Sequence, residues 1–130
     1  MIATDTIRDT LMADLADRAL ARSFAYVDGR WVGARSGDTL EVTNPADGRI
    51  VAEVARLSAE DAGAAVAAAD ACFRGWSHSL PQVRTQLLRR WYDLLIAHRE
   101  DLARIMTIEQ GKPISEARGE IDYAASFVEF

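Results

Sequence analysis

The stretch Glu109-Gln110-Gly111-Lys112-Pro113-Ile114 constrains the fold more than any other part of this chain. It reads as the end of one helix and the start of the next. Gly111 stands where a left-handed C′ residue closes a helix, and Pro113 opens the next one, because its missing N–H is an orphan at a helix start anyway. Lys112 has the look of a phosphate-loop lysine. No GxxxxGK[ST] precedes it, and Pro113 replaces the Ser/Thr that would hold magnesium. The stretch is therefore a helix–turn–helix joint, and the segments on either side must pack as neighbours.

The 130 residues suffice for one domain, since domains usually run about 100–150 residues. A chain 49% hydrophobic and 27% charged can bury a core, which separates it from disordered sequences. The net charge of −5 argues against a nucleic-acid partner, which calls for a basic face. No apolar run approaches the roughly 20 residues of a membrane span. Asp5, Asp9, Asp14 and Asp17 disfavour a secretory or organellar leader. Cys72 is the single cysteine, so no internal disulfide is possible. A cytoplasmic location is expected.

Ile7, Leu11, Leu15 and Ala19 recur at helical spacing, so residues 1–22 are expected to form an amphipathic helix, a docked terminal extension over 1–23. The period then changes. Asp28-Gly29 between two short apolar runs is a strong hairpin signal. A second strand pair is expected at Thr39–Thr43 and Ile50–Ala55, joined by Asn44-Pro45-Ala46-Asp47-Gly48, with Pro45 at a strand end because it cannot donate to a ladder. Four short strands are too few to bury a sheet unaided.

Ser58 followed by Asp61 gives a capping-box start for a helix running to about Trp76. Its alanine-rich face implies close packing on a neighbouring element. Ser79-Leu80-Pro81 starts another helix, with Val83, Leu87, Leu88, Trp91, Leu94 and Leu95 as its apolar stripe. A break is expected at His98–Asp101. A shorter helix with Leu102, Ile105 and Met106 inward then ends at Gly111. The last helix, from Pro113, carries Ala117, Ile121, Ala124, Ala125 and Val128 on one side. It has no closing glycine, asparagine or basic final turn before Phe130, as a truncated chain would.

Little chemistry is legible in the residues alone. Cys72 lies mid-helix with no feature that lowers a thiol pKa, and reads as a buried small hydrophobe. His78 and His98 fall near helix ends without metal-ligand spacing, and read as surface or capping histidines. Glu109 and Glu120 sit on different helices and do not form an acid–base pair. No GxGxxG follows a strand, so no dinucleotide fingerprint is present. No residue of the chain is assigned as catalytic or cofactor-binding.

From Phe24 to Phe130, the blocks YVDGRWV, VTNPADG, LLRRWYDLL, DLARIMTIEQGKP and GEIDYAASF resemble, in order and spacing, the N-terminal region of aldehyde dehydrogenases, and most closely the succinate-semialdehyde dehydrogenase branch. The resemblance implies an α/β family fold. This segment, mostly helical with two short strand pairs, would be the N-terminal part of a Rossmann-type NAD(P)-binding domain covering 24–130. It implies an NAD(P)-dependent oxidation of succinate semialdehyde or a similar aldehyde by a homodimer or homotetramer. In such an enzyme a cysteine thiolate attacks the aldehyde, hydride passes to the nicotinamide, and a glutamate-activated water hydrolyses the thioester. Those catalytic parts belong to later motifs, so the 130 residues alone are expected to be inactive, and marginally stable or prone to aggregate. The resemblance further implies that Tyr123 and Phe127, four apart on one helix face, border the mouth of the substrate tunnel. It implies a monovalent-cation site from backbone carbonyls at Val42 and Thr43 with Glu109, where several relatives have the shorter aspartate. Two other readings stand beside it: a free-standing helical interaction domain, and a dehydrogenase of another substrate such as betaine aldehyde.

Overall fold

Two β-hairpins lead into four helices in the computed structural model, which describes residues 15–130. Strands β1 (Ala25–Val27) and β2 (Arg30–Val32) pair antiparallel with Tyr26 opposite Trp31. Asp28 and Gly29 both adopt positive φ, 50° and 73°, the primed turn that matches the twist of the flanking strands. Strands β3 (Thr39–Thr43) and β4 (Ile50–Ala55) form the second hairpin. Val42 faces Ala52 but Thr43 faces Ile50, so Val51 bulges out of the ladder. Asn44 Oδ1 accepts the Ala46 N–H at 2.9 Å, an Asx turn that sets Pro45 just outside β3.

The helices are α1 (Ala59–Ser77), α2 (Pro81–Ala97), α3 (Arg99–Gln110) and α4 (Ile114–Glu129). The capping box forms as expected: Ser58 Oγ accepts the Asp61 N–H at 3.2 Å, and Asp61 Oδ2 accepts the Ser58 N–H at 2.9 Å. Ser58→Ala removes one of these acceptors, and we expect a cost of about 1 kcal/mol, read as faster amide exchange in the first turn of α1.

The core lies where α3 crosses α4. Ala103 and Ala117 are fully buried and Ile121 nearly so, with Leu102, Met106 and Ile114 packed around them. Alanines at the crossing let the two backbones approach closely. Arg89 on α2 reaches Glu129 on α4 at 3.0 Å. A second small cluster joins buried Leu15 and Ala21 to Ile105 and Ile108 of α3.

Several expectations are corrected. The described part of the terminal extension is not α-helical: a single 3-10 turn spans Arg18–Leu20, and Ala21 is extended. Asp17 caps that turn through the Ala19 N–H at 2.9 Å, and Asp101 takes the N–H groups of Ala16 and Asp17. These side-chain acceptors occupy donors that an α-helix would use. Ile7 and Leu11 lie outside the described residues. The break before α3 is confined to His98, which ends one helix and begins the next, while Arg99–Asp101 form the first turn of α3. Pro113 sits at the N-cap rather than inside α4, its carbonyl accepting from the Glu116 and Ala117 N–H groups. Ala124 is exposed, and Ala117, Ile121 and Ala125 are the buried residues of α4.

Cys72 is exposed, not buried. Most of α1 shares its position at the surface, with Val66 and Phe73 more than 60% exposed. The alanine face borders a shallow gap: Ala65, Ala68, Ala69 and Cys72 look across about 230 Å³ at Tyr26, Val27 and Asp28. None of the described elements closes over α1, and α2 packs against α4 while leaving much of its own apolar stripe outward. Leu87, Trp91 and Leu94 of that stripe are about half exposed.

Candidate functional site

Helix α3 ends at Gly111 with φ 77°, and the Gly111 N–H bonds the Thr107 carbonyl at 2.9 Å. A Cβ at Gly111 would lie 2.9 Å from Pro45 Cγ, so the joint presses against the β3–β4 turn. Glycine is required here twice over, by backbone conformation and by close approach. The contact brings the last turn of α3, with Glu109, to the residues that directly follow Val42 and Thr43. Val42 is half-buried and Thr43 exposed, beside the Val51 bulge. Desolvation raises the Glu109 carboxyl above its ordinary range, although the residue as a whole is exposed.

Lys112 is occupied. Its ammonium meets Glu120 Oε1 at 2.5 Å, which places Glu120 in an ion pair rather than beside Glu109. Two guanidinium forks tie α3 to α4. Arg99 holds both carboxylate oxygens of Asp122 at 2.6 Å, and Arg118 binds Glu100 in the same way. Each arginine holds its partner's carboxyl below the usual range, through the hydrogen bond first and charge second.

Tyr123 and Phe127 do come together. Their rings meet edge to face, with centroids 4.8 Å apart at 81°. Both are about two-thirds exposed, so they form an aromatic ledge rather than part of the core.

Residues with chemistry elsewhere are spoken for. His78 Nδ1 lies 2.7 Å from the Arg74 carbonyl at the end of α1, and His98 marks the α2–α3 break. Among the described residues, no three His, Cys, Asp or Glu side chains gather as a metal centre. Nor, among the described residues, does a glycine-rich turn open a helix as a dinucleotide cradle would. The positive-φ glycines 29, 37, 48 and 111 lie in turns and at a helix C-terminus, and none opens a helix after a strand. No helix among the described residues is long and apolar enough to cross a membrane.

Residues 31–130 match the model of the aldehyde dehydrogenase family. The chain belongs to the aldehyde dehydrogenase family. Glutarate-semialdehyde dehydrogenase of Pseudomonas aeruginosa is 50% identical to it over 116 residues, 89% of this chain and 24% of that protein. The crystal structure of succinate-semialdehyde dehydrogenase from Burkholderia pseudomallei superposes with a TM-score of 0.87 at 46% identity, again over 89% of this chain and 24% of that one. Betaine aldehyde dehydrogenase of Staphylococcus aureus, in complex with NAD+, matches with a TM-score of 0.81 at 28% identity, over 92% of this chain and 23% of that one. The chain thus spans about a quarter of the length of these aldehyde dehydrogenases and corresponds to their N-terminal part.

Within that aldehyde dehydrogenase segment, sequence reasoning overlooked Asp101. It was absorbed into a helix break, yet its carboxylate is buried and grips a segment about 85 residues away in sequence. An acid at the third helical position was the available signal, and it suggested only a local cap.

Proposed function

We propose that this chain is the N-terminal part of an NAD(P)-dependent aldehyde dehydrogenase that oxidises a short aldehyde bearing a distal carboxylate, succinate semialdehyde or glutarate semialdehyde. The observation that carries this reading is the step in identity, from 42–50% with semialdehyde enzymes to 28% with the betaine aldehyde enzyme. In this proposal residues 1–23 are an extension, and 24–130 belong to the Rossmann-type cofactor domain of a cytoplasmic homodimer or homotetramer. The described residues hold, in this proposal, neither the cofactor nor a catalytic group. Cys72 is not the nucleophile. The test is NAD and NADP reduction by the whole polypeptide carrying these residues, with succinate semialdehyde, glutarate semialdehyde and betaine aldehyde compared. A kcat/KM higher for betaine aldehyde than for both semialdehydes overturns the substrate class. Failure to reduce either nucleotide with any of the three overturns the activity.

Two finer assignments belong to the same proposal. The Tyr123–Phe127 ledge borders the tunnel mouth. Because Phe127 is mostly exposed, Phe127→Ala should raise KM by up to about tenfold, with kcat and thermal stability little changed. The Val42 and Thr43 carbonyls with Glu109 hold a monovalent cation. The ladder irregularity beside Val42/Thr43 and the desolvated Glu109 carboxyl support this site. Potassium or sodium should then raise Tm relative to choline, and Glu109→Gln should abolish that difference. A cation effect undiminished in the variant sinks the assignment.

A further inference from the structure

Helix α4 carries one continuous exposed strip. Glu116, Glu120, Tyr123 and Phe127 follow one another at intervals of four, three and four residues, so they share a face, and all four are exposed. The other acids beside the ledge lie on other faces. Asp122 is turned about 100° from Tyr123 and is held by Arg99, and Glu129, on the side opposite Glu120, is held by Arg89. At a helical rise of about 1.5 Å per residue, Glu120 stands about 4–5 Å along the axis from Tyr123, and Glu116 about 10 Å. Glu120 is therefore the carboxylate that stands nearest to Tyr123 and Phe127 on their own face. Lys112 meets it at 2.5 Å, from the joint between Gly111 and Pro113 rather than from either helix. Glu120 is about half exposed, and a pair that water reaches contributes little to stability. Its larger effect is electrostatic, because it cancels a negative charge one turn from the ledge.

We propose that Lys112 and Glu120 form a charge mask that lets the ledge accept an anionic aldehyde. This inference rests on the reading that Tyr123 and Phe127 border the tunnel mouth and that the substrate carries a distal carboxylate. A bare Glu120 at the mouth would repel such a substrate, and a bare Lys112 would attract it. At about 7 Å in water, one unit charge changes the local concentration of a monovalent anion about threefold at low ionic strength. Paired, the two charges do neither. Glu116, a turn further back, is about a Debye length from Tyr123 and is largely screened. Lys112 acts on the substrate only through Glu120 and touches none of the reacting atoms. It is a positioning residue for charge, and the pair is a determinant of specificity.

The test uses the whole polypeptide carrying these residues, at low ionic strength, with succinate semialdehyde and its uncharged methyl ester as the two substrates. Lys112→Gln should raise KM for the anion about threefold, and Glu120→Gln should lower it by about the same factor, with kcat unchanged in both. The double variant should return to the wild-type KM. KM for the ester should not move in any of the three. Opposite signs are the signature, because breaking a purely structural pair disturbs the joint in the same direction from either end. A raised KM in both single variants, or equal shifts for the ester, overturns the proposal. An active wild type whose KM is indifferent to both substitutions overturns this inference alone. A wild type that reduces neither NAD nor NADP with either substrate overturns the underlying dehydrogenase reading, and this inference with it.

Discussion

Gly111→Ala should destabilise the protein by about 2–5 kcal/mol. Two costs add. A left-handed backbone costs an L-residue roughly 1–2 kcal/mol, and Gly111 has φ 77°. The new Cβ would also lie 2.9 Å from Pro45 Cγ, too close for real atoms, and overpacking of that kind costs about 1–3 kcal/mol. A double-mutant cycle separates the two. Pro45→Ala removes the ring carbon, so in its background Gly111→Ala should retain only the conformational part. Urea midpoints of the four proteins decide it. If Pro45→Ala recovers nothing, the close approach of joint to hairpin is not what makes glycine necessary.

Asp101→Ala should free the segment that carries Leu15. Its carboxylate accepts two backbone N–H groups, and losing hydrogen bonds to a charged acceptor costs about 2 kcal/mol here, since water can reach the exposed donors. Exchange of the Ala16 and Asp17 amides should then accelerate about thirtyfold. The same contact predicts a pH dependence. The Asp17 N–H, and then that of Ala16, hold the Asp101 carboxyl below its ordinary 3.8, against the opposing effect of desolvation. A carboxyl depressed in the folded state stabilises fully above the unfolded value and loses that contribution as pH falls through the folded one. The clamp is therefore complete at neutral pH and opens only in acid. Unchanged amide exchange in Asp101→Ala would mean that Leu15 and Ala21 hold the segment by packing alone.

What was legible in the chain was mostly local. Asp28-Gly29, Asn44-Pro45, Ser58 with Asp61, and Gly111 each act on backbone within a few residues, and each turn or cap they announce is present. The strand limits at Thr39–Thr43 and Ile50–Ala55 also match. What escaped depends on partners distant in sequence. Whether residues 15–22 coil as a helix is settled by Asp101, which no local pattern joins to Ala16. The spacing of Leu15 and Ala19 is satisfied equally by packing against α3. Burial of Cys72 was inferred from its apolar neighbours on α1, but burial requires a covering element, and none of the described elements supplies one. The Tyr123–Phe127 pairing follows from helical spacing, while its outward direction follows from the alanines opposite, which draw the other face of α4 onto α3. The family itself was readable because five short blocks keep their order, something no single block conveys.

All three tryptophans, Trp31, Trp76 and Trp91, are about half exposed, and the latter two lie on the uncovered faces of α1 and α2. The protein therefore carries its own optical gauge. With these indoles wet, emission should lie toward the red and be readily quenched by iodide. Whatever closes over α1 and α2 would dry Trp76 and Trp91, shift the emission to the blue and shield it from quencher, so the covering of these helices can be followed in solution without a label.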